Sequence, residues 1–112
     1  MFAALGREHP YVLEVRAEFA TCSALTGDVI EALRQFSALV LDTERVLGAA
    51  HPQTFAARTS LAALTDQTGD KSDAREQLAA LLPSAKQVFG PRHPITHAVR
   101  GNLLRLDQEL GG

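Results

Sequence analysis

The chain repeats itself with a period of 42 residues. The dipeptide His-Pro recurs at residues 9–10, 51–52 and 93–94. When residues 5–46 are aligned with residues 47–88 without a gap, 14 of the 42 positions are identical. A fixed period of about 20 to 50 residues is typical of proteins built from stacked units that bury apolar surface against their neighbours. The sequence therefore predicts a repeat architecture.

The residues within each unit follow the spacing of α-helices. Apolar residues in the second unit recur three and four residues apart, which is the pattern of a helical stripe. They are Leu61 and Leu64, followed by Leu78, Leu81 and Leu82. Gly69 suits a helix end, and Asp70 suits the N-cap of the next helix. The short connections predict antiparallel neighbours. The predicted helices span residues 10–26, 28–47, 52–68, 70–89 and 94–109.

Pro83 interrupts the pattern inside the fourth predicted helix. It stands where the previous unit has Leu41. A proline at this position removes a backbone donor and clashes with the carbonyl four residues back. We therefore expect a kink or break near Ser84, with the helix resuming towards Val88.

The second unit carries the clearest set of repeated motifs. They are Leu47-Gly48, His51-Pro52-Gln53-Thr54, Leu61-Ala62, Gly69-Asp70 and Ala74. This set resembles the tetratricopeptide repeat in its 42-residue form, as found in kinesin light chains and many bacterial regulators. The resemblance implies an all-α fold, a right-handed α-solenoid of antiparallel helix pairs with about two and a half repeats in five helices.

The resemblance covers essentially the whole chain, so residues 1–112 are expected to form a single array. The implied repeat units are 5–46, 47–88 and 89–112, and the last unit is a lone capping helix. Residues 89–112 match residues 47–70 at 9 of 24 positions.

The two ends of the chain differ in what the resemblance implies. Residues 1–6 align with residues 43–48, the last turn of a second helix, so the chain is expected to start inside an element of a longer array. Near the other end, Leu104 replaces a small alanine of the earlier units, and Asp107 stands at a position that normally faces the core. Such changes suit a terminal capping helix with one wetter face. We therefore expect the C-terminal part of a larger, bacterial protein.

Composition and charge exclude several classes of function. The net charge is −2 with no basic or acidic block, which argues against a nucleic-acid partner. No apolar run approaches the roughly 18 residues of a membrane span, so we expect no membrane partner. Cys22 is the only cysteine, which favours a cytoplasmic location. There is no activated nucleophile and no glycine-rich phosphate loop, so we expect no enzyme, no catalytic residue and no cofactor.

The histidines of the His-Pro pairs invite a metal-binding interpretation. They lie one repeat apart, about 10 Å between stacked neighbours, which is too far to share an ion with bonds of about 2 Å. We therefore expect structural roles in the loops. His93 and His97 have the spacing of a ligand pair, but no cysteine or carboxylate pattern completes a site, and no metal site is predicted.

Arg16, Arg58 and Arg100 form a second ladder at one helical phase. Such a ladder either holds an acidic peptide or pairs with carboxylates across a helix interface. We favour pairing, because residues repeated in every unit serve packing between repeats more often than binding. The expected partners are carboxylates such as Glu14, Asp73 and Glu109.

In tetratricopeptide arrays the first helix of each unit lines the concave surface. The resemblance therefore places a partner-binding groove on the first helices of this chain. The carboxylate clamp of chaperone-binding relatives is not expected, since only Asn102 fits its pattern. A shallow groove of small residues better suits an apolar helix or an upstream segment of the same protein. The predicted groove residues are Glu14, Glu18, Thr21, Thr59, Ser60, Ala63, Asp66, Asn102 and Arg105.

We expect the chain to be a protein–protein interaction or regulatory scaffold module. The alternative is a structural capping or self-association fragment with no ligand of its own. The first helix supports this alternative, because it carries more apolar surface than one partner helix can cover, and a homodimer through the N-terminal end would bury the excess. The apolar residues concerned are Val12, Leu13, Val15, Phe19 and Leu25.

Overall fold

The structure is a computed structural model that describes residues 9–111. Over this range the chain forms five helices and no strand. Each helix packs chiefly against the next one along the chain, and the third and fifth helices also touch. The helices are α1 (Pro10–Leu25), α2 (Val29–Leu47), α3 (Pro52–Gln67), α4 (Lys71–Phe89) and α5 (Pro94–Gly111).

The repeated histidines start the first helix of every unit. The imidazole Nδ1 atoms of His9, His51 and His93 accept the backbone N–H two residues further along, at 3.1, 3.0 and 3.1 Å. The proline that follows each histidine lacks an N–H that would otherwise have no partner in the first turn. The predicted structural role of the histidines is therefore confirmed, and that role is helix capping.

The loops before α3 and α5 have the same geometry. The hydroxyls of the buried Thr54 and Thr96 donate to the carbonyls of Gly48 and Gly90, at 2.7 and 2.8 Å. Both glycines are in a conformation that only glycine adopts freely, with φ of 92° and 93° and ψ of 157° and 161°. Because the two loops match, residues 42 positions apart occupy equivalent places in the two hairpins.

Two apolar clusters fill the space between the helices. The first joins Leu13 and Leu39 to Leu64 of the next unit, and the second surrounds Phe55 and Leu78. Burying each large apolar side chain stabilises the fold by about 1.5–3 kcal/mol. The small residues of the motif permit this packing, since Ala20 and Ala62 are 0% and 1% exposed.

Helix α4 runs without a break from Lys71 to Phe89, with Pro83 inside it. The expected break near Ser84 is therefore wrong. Pro83 lies on the exposed side of the helix, whereas Leu81 and Ala85 on either side of it are buried. The packing of these neighbours keeps the chain helical despite the one backbone hydrogen bond that proline removes.

The apolar face of α1 is smaller than expected. Val12 and Leu13 are buried, which contradicts their place in an uncovered patch. Leu13 packs into the first apolar cluster. Phe19 and Leu25 do remain outside, at 65% and 82% exposure. The expectation that residues 1–6 form the last turn of a preceding helix lies outside the described residues.

Helix α5 is more exposed than α3 at two equivalent positions. Leu104 is 54% exposed, whereas its equivalent Ala62 is buried between helices. Asp107 is half-buried and forms an ion pair with Arg75 of α4. One face of α5 is thus wetter than the same face of α3.

Candidate interaction surface

A groove runs between α1 and α3, with α2 as its floor. It encloses a cavity of about 190 Å³. Small side chains form its walls, whereas larger apolar side chains form part of its floor. A wall of small residues allows the backbone of a ligand to approach closely. The residues that line the groove are Ala17, Thr21, Phe36, Leu39, Thr43, Gln53, Ala56, Ala57 and Ser60.

Two of the predicted groove residues, Thr21 and Ser60, line this cavity. The Thr21 hydroxyl donates to the carbonyl of Ala17 one turn back, at 2.9 Å. The Thr21 hydroxyl can therefore still accept a hydrogen bond, although its own proton is engaged within the helix. Glu14 and Glu18 are exposed on the same helix, but they do not line the cavity.

Thr59 and Ala63 are half-buried on α3 and also lie outside the cavity lining. The Thr59 hydroxyl donates to the carbonyl of Phe55 at 2.8 Å. This contact within one helix leaves the side chain no further donor for a ligand.

The other predicted residues contact one another. Asp66 accepts hydrogen bonds from Lys71 at 2.6 Å and from Arg105 at 3.1 Å, and its side chain is 12% exposed. Arg105 also reaches Glu109 at 3.0 Å and Asn102 at 3.5 Å. This network ties α3, α4 and α5 together. Its polar groups are engaged within the protein and lie outside the lining of the groove.

Electrostatics within this network favour its charged state. The hydrogen bond from Lys71 lowers the pKa of Asp66, and Arg105 lowers it further, although burial opposes both effects. Reciprocally, the hydrogen bond to Asp66 raises the pKa of Lys71. The carboxylate therefore stays ionised, and the lysine protonated, beyond their ordinary ranges.

The floor of the groove comes from α2 and was missed by the sequence reasoning. Phe36, Leu39 and Thr43 follow the same helical stripe that builds the core, so nothing in their spacing marks them as accessible from the groove. The Thr43 hydroxyl is buried and has no hydrogen-bond partner, a condition it shares only with Gln35 Oε1 among residues 9–111. Buried polar atoms are normally paired, so this floor is less satisfied than the rest of the core.

The arginine ladder forms ion pairs, as predicted, but with other partners than those expected. Arg16 contacts Asp42 at 2.8 Å, and Arg58 pairs with Glu44. Both carboxylates belong to α2. Arg100 has no ion pair within the described range, and Lys86 stands at the position equivalent to Glu44. The side chain of each carboxylate must reach an arginine on a neighbouring helix, and helical phase alone does not reveal which one does.

Neither a metal cluster nor a membrane span is found over residues 9–111. No three His, Cys, Asp or Glu side chains there are placed to hold a metal ion. None of the five helices combines the length and the apolar character that crossing a membrane requires.

Comparison with known proteins identifies the repeat. The family model described as tetratricopeptide repeat matches residues 54–95. This segment carries a tetratricopeptide repeat. Two solved structures match it at 27% identity, both of nearly identical TPR-like repeats from a Podosopora anserina protein described as a kinesin light chain. A search of curated proteins gives no match.

The structural matches extend over nearly the whole chain. One, a variant with a single substitution, gives a TM-score of 0.82 and covers 96% of this chain and 51% of the other. The second gives a TM-score of 0.80 and covers 97% and 52%. The chain thus spans about half the length of these proteins and shares their right-handed solenoid of helix pairs. Tetratricopeptide repeats generally mediate protein–protein interaction and are not typically enzymes.

Proposed function

We propose that this chain is a protein-interaction module that binds a peptide segment in the groove between α1 and α3. The observation that carries the proposal is the groove itself, a concave cavity of about 190 Å³ walled by small side chains. The cleft is open to solvent, since Thr21 and Ala56 in its lining are exposed. A ligand can therefore enter it without a rearrangement of the helices.

The lining defines the chemistry of the segment. Ala17 and Ala56 let a backbone approach closely, and Phe36 and Leu39 offer an apolar floor. Thr21, Ser60 and Gln53 supply hydroxyl and amide groups around that floor. An amphipathic helix with small or apolar residues on one face fits this combination. Its source is a separate protein or another part of the same protein.

Groove binding can be tested without a known partner. A displayed library of short random peptides is selected on the chain, and the bound peptides are mapped by amide chemical shifts on an isotope-labelled sample. We expect perturbations at the groove residues of α1 and α3. Ala56 is exposed, so Ala56→Arg should block the groove and leave the melting temperature within a few degrees of the parent value. Peptides that bind the variant and the parent equally would refute the proposal.

Self-association is a second candidate, and it rests on Phe19. The equivalent residues Leu61 and Leu103 are partly buried and pack against the core of the unit before them. Phe19 stands at the same register and is 65% exposed. A second copy of the chain that covered Phe19 and Leu25 through a two-fold contact would give a homodimer.

Sedimentation velocity distinguishes this candidate from a monomeric module. The dimer interpretation predicts that Phe19→Glu shifts the chain to a monomer. The matched control is Leu41→Glu, which places the same charge at a comparably exposed apolar residue of α2. A parent chain that sediments as a monomer at about 100 μM, well above the range of a specific dimer, would exclude this candidate.

The wider setting of the module is part of the same proposal. The repeat units 5–46, 47–88 and 89–112 act as one binding unit of a larger bacterial scaffold, without catalytic activity of their own. The cytoplasm suits the chain, because the thiol of Cys22 is exposed and stays reduced there. Expression of the full reading frame with a fluorescent tag would check this location directly.

A further inference from the structure

A cavity of about 310 Å³ lies between the start of α3 and the second half of α4. It shares no lining residue with the groove between α1 and α3. Phe55 and Leu81 form a buried apolar floor. Arg58, Ser84 and Gln87 contribute polar side chains to its lining. The cavity thus combines an apolar interior with a small set of convergent polar groups, which is typical of ligand sites.

The first unit contains the counterpart of this polar set, 42 residues earlier. There, Asp42 accepts hydrogen bonds from Arg16 at 2.8 Å and from Arg45 at 2.5 Å. The Asp42 side chain is largely buried between the two helices. A carboxylate held by two guanidinium groups is a strong charge-assisted arrangement. In the first unit this register thus holds a carboxylate between two arginines.

The second unit keeps the donors and has lost the carboxylate. Arg58 is retained at the position of Arg16, but Ser84 replaces Asp42 and Gln87 replaces Arg45. A serine hydroxyl and a glutamine amide can both donate hydrogen bonds. Glu44 contacts only one terminal nitrogen of Arg58, and a guanidinium has five N–H donors. The other N–H groups of Arg58 have no counterpart of the Asp42 carboxylate, because Ser84 stands at that position.

We propose that this cavity binds a carboxylate carried on a short aliphatic chain. The carboxylate takes the place that the Asp42 side chain holds in the first unit, and it accepts hydrogen bonds from Arg58, Ser84 and Gln87. The aliphatic chain lies against Phe55 and Leu81. The volume is at the lower end of the range for ligand sites, about 300–1,000 Å³, so the ligand is small. It is either a free aliphatic acid or the last residue of a peptide.

Hexanoate and hexanamide are suitable probes, because they differ chiefly in the charged group. Titration of each into the isotope-labelled chain, followed by amide chemical shifts, should perturb residues 84 and 87. We expect hexanoate to bind at least about tenfold more tightly, since hydrogen bonds to an ionised acceptor are about twice as strong. A short peptide ending in leucine, with a free or an amidated carboxyl end, identifies the source. Tighter binding of the free-ended peptide than of hexanoate indicates a peptide terminus, and the reverse order a free acid.

Substitutions in the cavity test the assignment of the donors. Ser84→Asp restores an internal carboxylate beside Arg58 and should abolish hexanoate binding. Arg58→Gln should weaken binding about tenfold, and it decides the matter if the aspartate variant does not fold. Arg75→Gln is the matched control, because Arg75 lies on α4 outside the cavity lining. It should leave binding unchanged.

Two results would overturn the proposal. One is equal binding of hexanoate and hexanamide, and the other is hexanoate binding that survives both Ser84→Asp and Arg58→Gln. The proposal does not depend on the peptide groove, so Ala56→Arg should leave hexanoate binding unchanged. Failure at one site is therefore distinguishable from failure at the other.

Discussion

Gly48 and Gly101 make a sharp test of how backbone conformation contributes to the stability of this array. A Cβ built on either residue meets no atom within 4 Å, so substitution by alanine adds no steric conflict with neighbours. Gly48 has φ of 92° and ψ of 157°, a region that costs other residues about 1–3 kcal/mol. Alanine also reduces the conformational entropy of the unfolded chain, which offsets about 0.4–1 kcal/mol of this cost to stability. We therefore expect Gly48→Ala to lower the free energy of unfolding by about 1–2 kcal/mol.

Gly101 provides the control, because it lies inside α5 with an exposed face. There the same substitution should raise the free energy of unfolding by about 0.5–1 kcal/mol. Urea denaturation followed by far-ultraviolet circular dichroism measures both changes. In a thermal scan each kcal/mol corresponds to a shift of about 4 °C. If the two variants shift stability in the same direction by similar amounts, the attribution to backbone conformation is refuted.

The remaining predictions concern packing, one buried hydroxyl and pH. In urea denaturation Ala62→Leu should cost about 1–3 kcal/mol through overpacking, whereas Leu104→Ala, at a half-exposed position, should cost less than an ordinary core truncation of about 2–5 kcal/mol. Thr54→Val should cost about 1 kcal/mol by removing the bond to Gly48, and Thr21→Val, at an exposed site, should stay within about 0.5 kcal/mol. Because the pKa of Asp66 is lowered in the folded state, its contribution is complete above its unfolded value of about 3.9 and is lost as the pH falls through the lower folded value. Urea midpoints measured from about pH 5 to about pH 2 should therefore fall less steeply for Asp66→Asn than for the parent chain.

The helices and their ends could be predicted from the sequence because their signals are local. The proline after each capping histidine, and the glycine before each loop, act within one turn of the chain. The predicted spans consequently differ from α1 to α5 by no more than two residues at any end. Pro83 was the exception, since the packing of Leu81 and Ala85 outweighed its local preference.

The candidate sites were harder to predict because they depend on contacts between units. The sequence predicted that Asp66 and Arg105 line one groove. In the structure they instead form an ion pair with each other, between α3 and α5. Helical phase gives the direction in which a side chain points. It does not reveal whether an oppositely charged side chain on a neighbouring helix is close enough to form an ion pair with it. The same limit explains why Asp42 was not recognised as the partner of Arg16.

Because the units repeat, a residue that differs between two equivalent positions can be treated as a substitution within the same local structure. The loops before α3 and α5 match in backbone angles and in their threonine contacts, so a change of residue at one register occurs in a nearly constant frame. At the register of Asp42 the frame is kept while the carboxylate is replaced by Ser84. Arg58 is retained at this register, where it lines the cavity and pairs through one terminal nitrogen with Glu44. Because that pair already balances the charge of Arg58, the hexanoate titration, and not the retention of the arginine, decides whether its remaining donors bind a carboxylate.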